Sequence, residues 1–144
     1  MKKAALVAMA TLVALGIVPM APARADDPSD EANFVAQINA LRATRGAPAL
    51  SVDAGLTAKA RSWAQTMADK NTIWHSALRD GITASWLKLG ENVGMGSTVT
   101  RVQRLFMHSS AHRSNILRSR FLKVGIGALR RGGNLWVTVV FYGR

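Results

Sequence analysis

The chain has 144 residues, of which 49% are hydrophobic and 6% aromatic, and its 19 Lys and Arg residues against 8 Asp and Glu give a formal net charge of +11. This length allows one domain at most, and the apolar content excludes a disordered chain. The absence of cysteine excludes disulfides, thiolate metal sites and thiol catalysis, so the hydrophobic core must stabilise the fold unaided.

The N-terminal segment has the pattern of a cleaved secretory signal. Lys2 and Lys3 precede an uncharged apolar run over residues 4–20. Ala23 and Ala25 then provide the small residues that a signal peptidase accepts, directly before a polar segment.

A transmembrane anchor is the alternative interpretation of this segment, because the apolar run is nearly long enough to cross a bilayer. Pro19 and Pro22 argue against an anchor. We therefore predict a signal peptide over residues 1–25 and a single domain over residues 26–144, with no transmembrane segment after cleavage.

The first predicted helix begins within residues 27–31, where a capping side chain is followed by acidic residues that the helix dipole favours. Gly46 and Pro48 end the segment. Apolar residues at helical spacing predict one buried stripe, formed by Phe34, Val35, Ile38 and Leu41.

The second predicted helix begins at Ser51 or Asp53 and continues to about Asn71. Its apolar side consists of Leu56, Ala60, Trp63, Ala64 and Met67. For residues 72–97 we predict loops with a short helical turn and a short strand.

A third helix follows, capped by Ser97 or Thr98. It carries the apolar residues Val99, Val102, Leu105 and Phe106.

The C-terminal part changes from helical to strand periodicity. Residues 124–129 and 135–142 are predicted strands, joined by a tight hairpin in which Gly132 and Gly133 supply positive φ values. Both faces of the second strand are mostly apolar, so helices must cover the sheet on both sides. The predicted fold class is α+β, a three-layer α-β-α sandwich around a small antiparallel sheet.

Charge is unevenly distributed along the chain. No acidic residue follows Glu91, whereas nine basic residues do: Arg101, Arg104, Arg113, Arg118, Arg120, Lys123, Arg130, Arg131 and Arg144. This asymmetry indicates a positive face for an anionic partner such as nucleic acid, anionic lipid or an acidic wall polymer. A solvated surface that keeps the protein soluble is the alternative.

Few side chains can do chemistry, and the three histidines and Glu91 are the main candidates. His108 and His112 have the i, i+4 spacing of two zinc ligands on a helix, but the intervening glutamate of a helical HExxH motif is absent. The pair is therefore a weak signal, and surface or structural roles for the two side chains are the alternative.

Several other site classes lack their motifs. There is no Gly-x-Ser-x-Gly elbow, no Walker loop and no dinucleotide-binding glycine motif. An HNH-like nuclease built on His112 and Asn115 lacks an acidic cluster for the metal.

Five segments together resemble the bacterial branch of the CAP superfamily, which is named for cysteine-rich secretory proteins, antigen 5 and pathogenesis-related 1 proteins. The resemblance covers about residues 30–143. The segments are FVAQINALR over 34–42, His75, GEN over 90–92, HRSNIL over 112–117 and VGIG over 124–127.

The resemblance implies a secreted α-β-α sandwich with a groove that bears two histidines and two acidic residues. Several family members bind a divalent metal, commonly zinc, through the histidines. Matched by motif, the metal ligands are His75 and His112, and Glu91 is the acid and the candidate catalytic residue. Ser109 stands where other branches carry the second glutamate, so the expected groove set is His75, Glu91, Ser109 and His112.

The role of Glu91 stays open at this point. Glu91 can ligate zinc directly, orient a histidine or accept a proton from bound water. Alternatively, Glu91 and the histidines form a hydrogen-bond network that fixes the loops.

The leading functional expectation is a secreted monomer whose His/Glu groove takes a divalent metal and an extracellular or envelope ligand. Anionic lipid, cell-wall polymer and a small lipid are the expected partner classes. The alternative is a zinc-dependent hydrolase that acts on peptide or cell-wall bonds. Nucleic-acid binding through bulk charge, without sequence preference, is a third possibility.

Overall fold

The computed structural model describes residues 28–83, 85 and 88–143. Its helices are α1 (Pro28–Ala43), α2 (Ala54–Lys70), α3 (Val99–His108) and α4 (Ser110–Leu117), and its strands are β1 (Ser51–Val52), β2 (Lys88–Gly96), β3 (Phe121–Arg131) and β4 (Asn134–Gly143). The predicted signal peptide over 1–25 lies outside the described residues. Among the helices of the described ranges, none is long and apolar enough to cross a membrane.

The four strands form one sheet in the order β1-β3-β4-β2. Strand β4 pairs antiparallel with both β2 and β3, whereas β1 pairs parallel with β3. Helices α1, α3 and α4 pack on one face of the sheet and α2 packs on the other. The predicted three-layer sandwich is therefore confirmed, while the sheet is mixed rather than purely antiparallel because of β1.

The final hairpin forms as predicted. Gly132 and Gly133 have φ values of 59° and 75° in the turn between β3 and β4. Along β4, Val137 and Val139 face the layer of α1, α3 and α4, whereas Trp136 and Val140 face α2. Strand alternation thus distributes apolar side chains to both layers, as the two-sided apolar pattern predicts.

Helix α2 lies unusually close to β3. A Cβ atom built on Gly125 would lie 2.1 Å from the carbonyl carbon of Leu56, and one built on Gly127 would lie 2.4 Å from the backbone of Ala60. Only glycine leaves room for the helix backbone at these two positions, so the VGIG segment sets the distance between α2 and the sheet.

Arg42 is a fully buried charge that joins α1 to the chain around β3. Its Nε donates to the Pro48 carbonyl at 2.8 Å, and its Nη1 donates to those of Ile116 and Arg118 at 2.9 and 2.8 Å. Its Nη2 donates to the Phe121 carbonyl at 2.9 Å. Burial lowers the pKa of the guanidinium, and four carbonyl dipoles compensate for the lost hydration.

One of the two predicted starts of the second helix is confirmed, and one predicted short strand is longer than expected. The second helix begins after Asp53, whose side chain accepts a hydrogen bond from the Leu56 N–H, and Ser51 belongs instead to the short strand β1. Within residues 72–97, the predicted short strand is the nine-residue β2.

The third helix and its neighbour differ more from the prediction. Thr98 caps α3, and Leu105 is 48% exposed rather than buried with Val102 and Phe106. Helix α4 was not predicted. Ser109 ends α3 and caps α4, because its extended backbone breaks the helix and its hydroxyl accepts from the His112 N–H.

Candidate functional site

The site is built around the buried carboxylate of Glu91 on β2. Glu91 Oε1 accepts hydrogen bonds from His75 Nδ1 at 2.8 Å and from the Ser76 N–H at 2.9 Å. Glu91 Oε2 accepts from the Ser76 hydroxyl. Three donors on adjacent residues thus fix the loop that follows α2 onto the central sheet.

His75 is exposed although its partner is buried. Its side chain is 60% exposed, against 2% for Glu91. A carboxylate only accepts hydrogen bonds, so Nδ1 carries a proton, and in the neutral ring Nε2 is the nitrogen with the free lone pair. Glu91 therefore selects the tautomer and the orientation of an imidazole whose free nitrogen can act as a ligand.

His112 lies on α4 and is half-buried against α3. Its ring packs edge-on against Phe106, with ring centroids 5.1 Å apart. Burial lowers the pKa of His112, and a protonated His75 lowers it further. The imidazole is accordingly neutral at pH 7, which is the form that binds metals.

An asparagine pair ties β2 to α4. Asn92 Nδ2 donates to the His112 carbonyl at 3.0 Å, and Asn115 Nδ2 donates to Asn92 Oδ1 at 2.9 Å and to the Glu91 carbonyl at 3.3 Å. These bonds hold the backbones that carry the acid and the second histidine at a fixed separation.

The structure connects most of the predicted site residues but separates His108 from His112. Glu91 contacts His75 directly, and the asparagine pair links the strand of Glu91 to the helix that carries His112. Ser109 contributes to the site by capping the helix that carries His112. His108 is exposed at the end of α3, on a different helix from His112, so the pair does not share a continuous helical face.

Few side chains at this site could serve as metal ligands. Within the ranges given above, no three His, Asp or Glu side chains are grouped so that they could hold a metal ion together. Both oxygens of Glu91 are engaged by His75 and Ser76, which gives this carboxylate an orienting position.

Three residues of this network were not assigned to the site from the sequence: Ser76, Asn92 and Asn115. Asn92 and Asn115 lie inside the GEN and HRSN segments, so those motifs carried a signal for them. Ser76 had no signal beyond its position after His75, because its role depends on the loop reaching Glu91 across the fold.

A cleft of about 540 Å³ adjoins the site between α2 and the following loop. Ser76 belongs both to this cleft and to the Glu91 network, and Trp63 forms part of the helix side. Lys59 Nζ fixes the loop by donating to the carbonyls of Ala77 and Asp80 at 2.9 and 2.7 Å.

Comparison with known proteins identifies relatives across most of the chain. Residues 35–142 match the model of the cysteine-rich secretory protein family, CAP. The uncharacterized protein YkwD of Bacillus subtilis is 32% identical in an alignment over 123 residues that covers 79% of this chain and 47% of YkwD. The chain therefore spans about half the length of this curated relative.

Solved structures share the fold. An extracellular protein containing an SCP domain from Bacillus anthracis superposes with a TM-score of 0.71 at 21% identity, over 81% of this chain and 41% of that one. The structure of NaASP2 with Zn²⁺ gives a TM-score of 0.61 at 13% identity, over 83% of this chain and 82% of that one. With this sandwich and these matches, the chain belongs to the CAP family of cysteine-rich secretory proteins.

Proposed function

We propose that this chain is a secreted or envelope-associated CAP domain that holds a divalent metal ion between His75 and His112. Zinc is the preferred metal. The observation that carries the proposal is the hydrogen bond from His75 Nδ1 to buried Glu91. Metal-binding histidines typically donate their second ring N–H to a carboxylate in this way.

His112 supports the proposal as the second metal ligand. Its lowered pKa keeps the ring neutral at pH values where an ordinary histidine is partly protonated. Two neutral imidazoles suit zinc, whose remaining positions are then open to water or to a ligand. Bound zinc would polarise a ligand oxygen at this position.

The donor set favours ligand binding over hydrolysis. Catalytic zinc sites commonly have three protein ligands, whereas the part of the chain that the structure describes has no group of three such side chains. Glu91 orients His75 and has no oxygen left over from its contacts with Ser76 and His75. We therefore place the extracellular or envelope ligand at the metal and in the adjoining cleft.

Metal analysis of the purified protein tests this function. We expect stoichiometric zinc in the unmodified chain and its loss in the double variant His75→Ala/His112→Ala. His108→Ala is the matched control, because His108 is exposed on another helix and should leave zinc binding unchanged. Equal zinc content in all three proteins would exclude the proposed site.

A small lipid is a second candidate ligand, at a different place. A groove of about 300 Å³ between α1 and α3 is lined mainly by apolar groups, including Leu41 and Met107. Gln103, which also lines this groove, has a buried carboxamide without a hydrogen-bond partner among the described residues. A lipid carboxyl or hydroxyl group could satisfy that amide.

Binding of a fluorescent fatty acid to the purified protein tests this ligand. Binding that is weakened by Met107→Glu and unaffected by His75→Ala/His112→Ala would support it, and no binding to the unmodified chain would exclude it.

A further inference from the structure

We infer that the exposed face of α3 is a docking surface for the headgroups of an anionic phospholipid bilayer. We call it the arginine face and define it as Arg101, Arg104, Leu105 and His108 of α3 with Arg113 of α4. The inference rests on the proposed envelope location but not on the metal site.

Helix α3 is strongly two-sided. Val99, Val102, Gln103 and Phe106 are buried toward the core. Arg101, Arg104, Leu105 and His108 are all exposed, and their spacing of three and four residues places them on one side of the helix. Two guanidinium groups thus point outward from adjacent turns with an apolar side chain beside them.

Arg113 extends this charge beyond the end of α3. Its Nη1 donates to the Met107 carbonyl at 2.9 Å, so the guanidinium of α4 is held next to the last turn of α3. The hydrogen bond also fixes the position of the third charge relative to Arg104.

The carboxylates of the described residues lie away from the arginine face. Four of them are in ion pairs elsewhere: Asp30 with Arg130, Glu31 with Arg61, Asp53 with Lys123 and Asp69 with Arg131. Glu91 accepts hydrogen bonds from His75 and Ser76. Asp80 lies in the loop beside α2, and α2 packs on the opposite face of the sheet.

The neighbouring surface of α1 is also uncharged. Gln37 Nε2 donates to Thr100 Oγ1 at 3.1 Å, and Ala40 and Leu41 line the groove beside α3. The field of the arginine face is therefore not cancelled locally, and an anionic surface is attracted to it.

Leu105 favours a bilayer over a soluble polyanion. It is 48% exposed between the arginines, where a polyanion in water would gain little from it. At a membrane surface, basic side chains contact headgroups while an apolar side chain enters the boundary with the acyl chains. The exposed α3 residues include no Phe, Tyr or Trp side chain on which nucleic-acid bases could stack.

Vesicle sedimentation with the full chain tests the inference. We expect binding to vesicles of phosphatidylcholine mixed with phosphatidylglycerol, falling with added salt, and none to phosphatidylcholine alone. Arg101→Gln/Arg104→Gln should weaken binding roughly thirtyfold, from about fivefold for each arginine near the surface. The matched control Lys70→Gln/Lys88→Gln removes the same charge from exposed positions outside α3 and should cause a much smaller loss.

Two further variants separate the possible outcomes. Leu105→Ser should weaken vesicle binding without changing binding to soluble polyphosphate, and an equal effect on both would overturn the bilayer as partner. His75→Ala/His112→Ala should keep full vesicle binding, so failure of the metal proposal leaves this inference standing. The inference is wrong if the mixed vesicles are not bound at low salt, or if the two charge variants weaken binding equally.

Discussion

The Glu91 carboxylate, 2% exposed, lies 2.8 Å from Nδ1 of the His75 ring, which is 60% exposed. A buried acid thus controls the geometry of a surface imidazole. Ser76 strengthens this arrangement by donating to both carboxylate oxygens of Glu91.

Glu91→Gln should weaken zinc binding about 10- to 100-fold, the usual effect of removing an orienting carboxylate behind a metal-binding histidine. The amide keeps the size of the side chain but loses the charge that makes His75 a stronger ligand. Competition with a zinc chelator at pH 7 measures the change. His108→Gln serves as the control, and an affinity unaltered by Glu91→Gln would show that Glu91 does not act through His75.

His112 should titrate below its ordinary pKa of 6.5 in the metal-free protein, because burial disfavours the charged ring and a protonated His75 repels it. His75→Gln should raise the pKa of His112 only part of the way back, since burial is the larger cause. NMR chemical shifts of the ring protons against pH measure both values. An unchanged pKa in His75→Gln would show that the two rings do not interact.

The same shift predicts the direction of a pH effect on stability. The unfolded chain binds a proton at His112 as pH falls through 6.5, before the folded chain does. The free energy of unfolding should therefore decrease from pH 6.5 downward until the folded-state pKa is passed. His112→Gln should remove this part of the pH dependence, which urea denaturation at several pH values can measure.

Arg42→Met should destabilise the fold by about 3–5 kcal/mol, because it leaves buried carbonyl groups without donors. Arg42→Lys should rescue little, since one ammonium cannot reproduce the fork of guanidinium donors. Arg45→Ala, which changes an exposed arginine just after the same helix, should stay within about 0.5 kcal/mol of the unmodified chain. Urea denaturation of the three variants checks the ranking, and a stable Arg42→Met protein would contradict it.

Much of the sandwich could be predicted because its signals are local. Periodicity located α1, α2 and α3, and the two-sided apolar pattern of β4 required helices on both faces of the sheet. Helix α4 was missed because it has only eight residues and a single buried side chain, Ile116, so it shows no apolar stripe.

Interactions between distant segments could not be predicted in this way. Arg42 is a charged residue directly after the apolar stripe of α1, and its burial depends on carbonyl groups more than 70 residues away. Likewise, the motifs named Glu91 and His75, but no sequence pattern indicated that Ser76 would occupy the remaining acceptor oxygen of Glu91.

Gly127→Ala should be much more costly than Gly132→Ala, although each adds one methyl group. At Gly127 the new Cβ would lie 2.4 Å from the backbone of Ala60, so α2 must move away from β3, at a cost of about 3 kcal/mol or more. At Gly132 nothing lies within 4 Å, and the cost comes only from the φ of 59°, about 1 kcal/mol. Thermal and urea denaturation of the two variants measure the difference. Equal destabilisation would mean that α2 tolerates displacement, and that the VGIG segment does not set the spacing between the helix and the sheet.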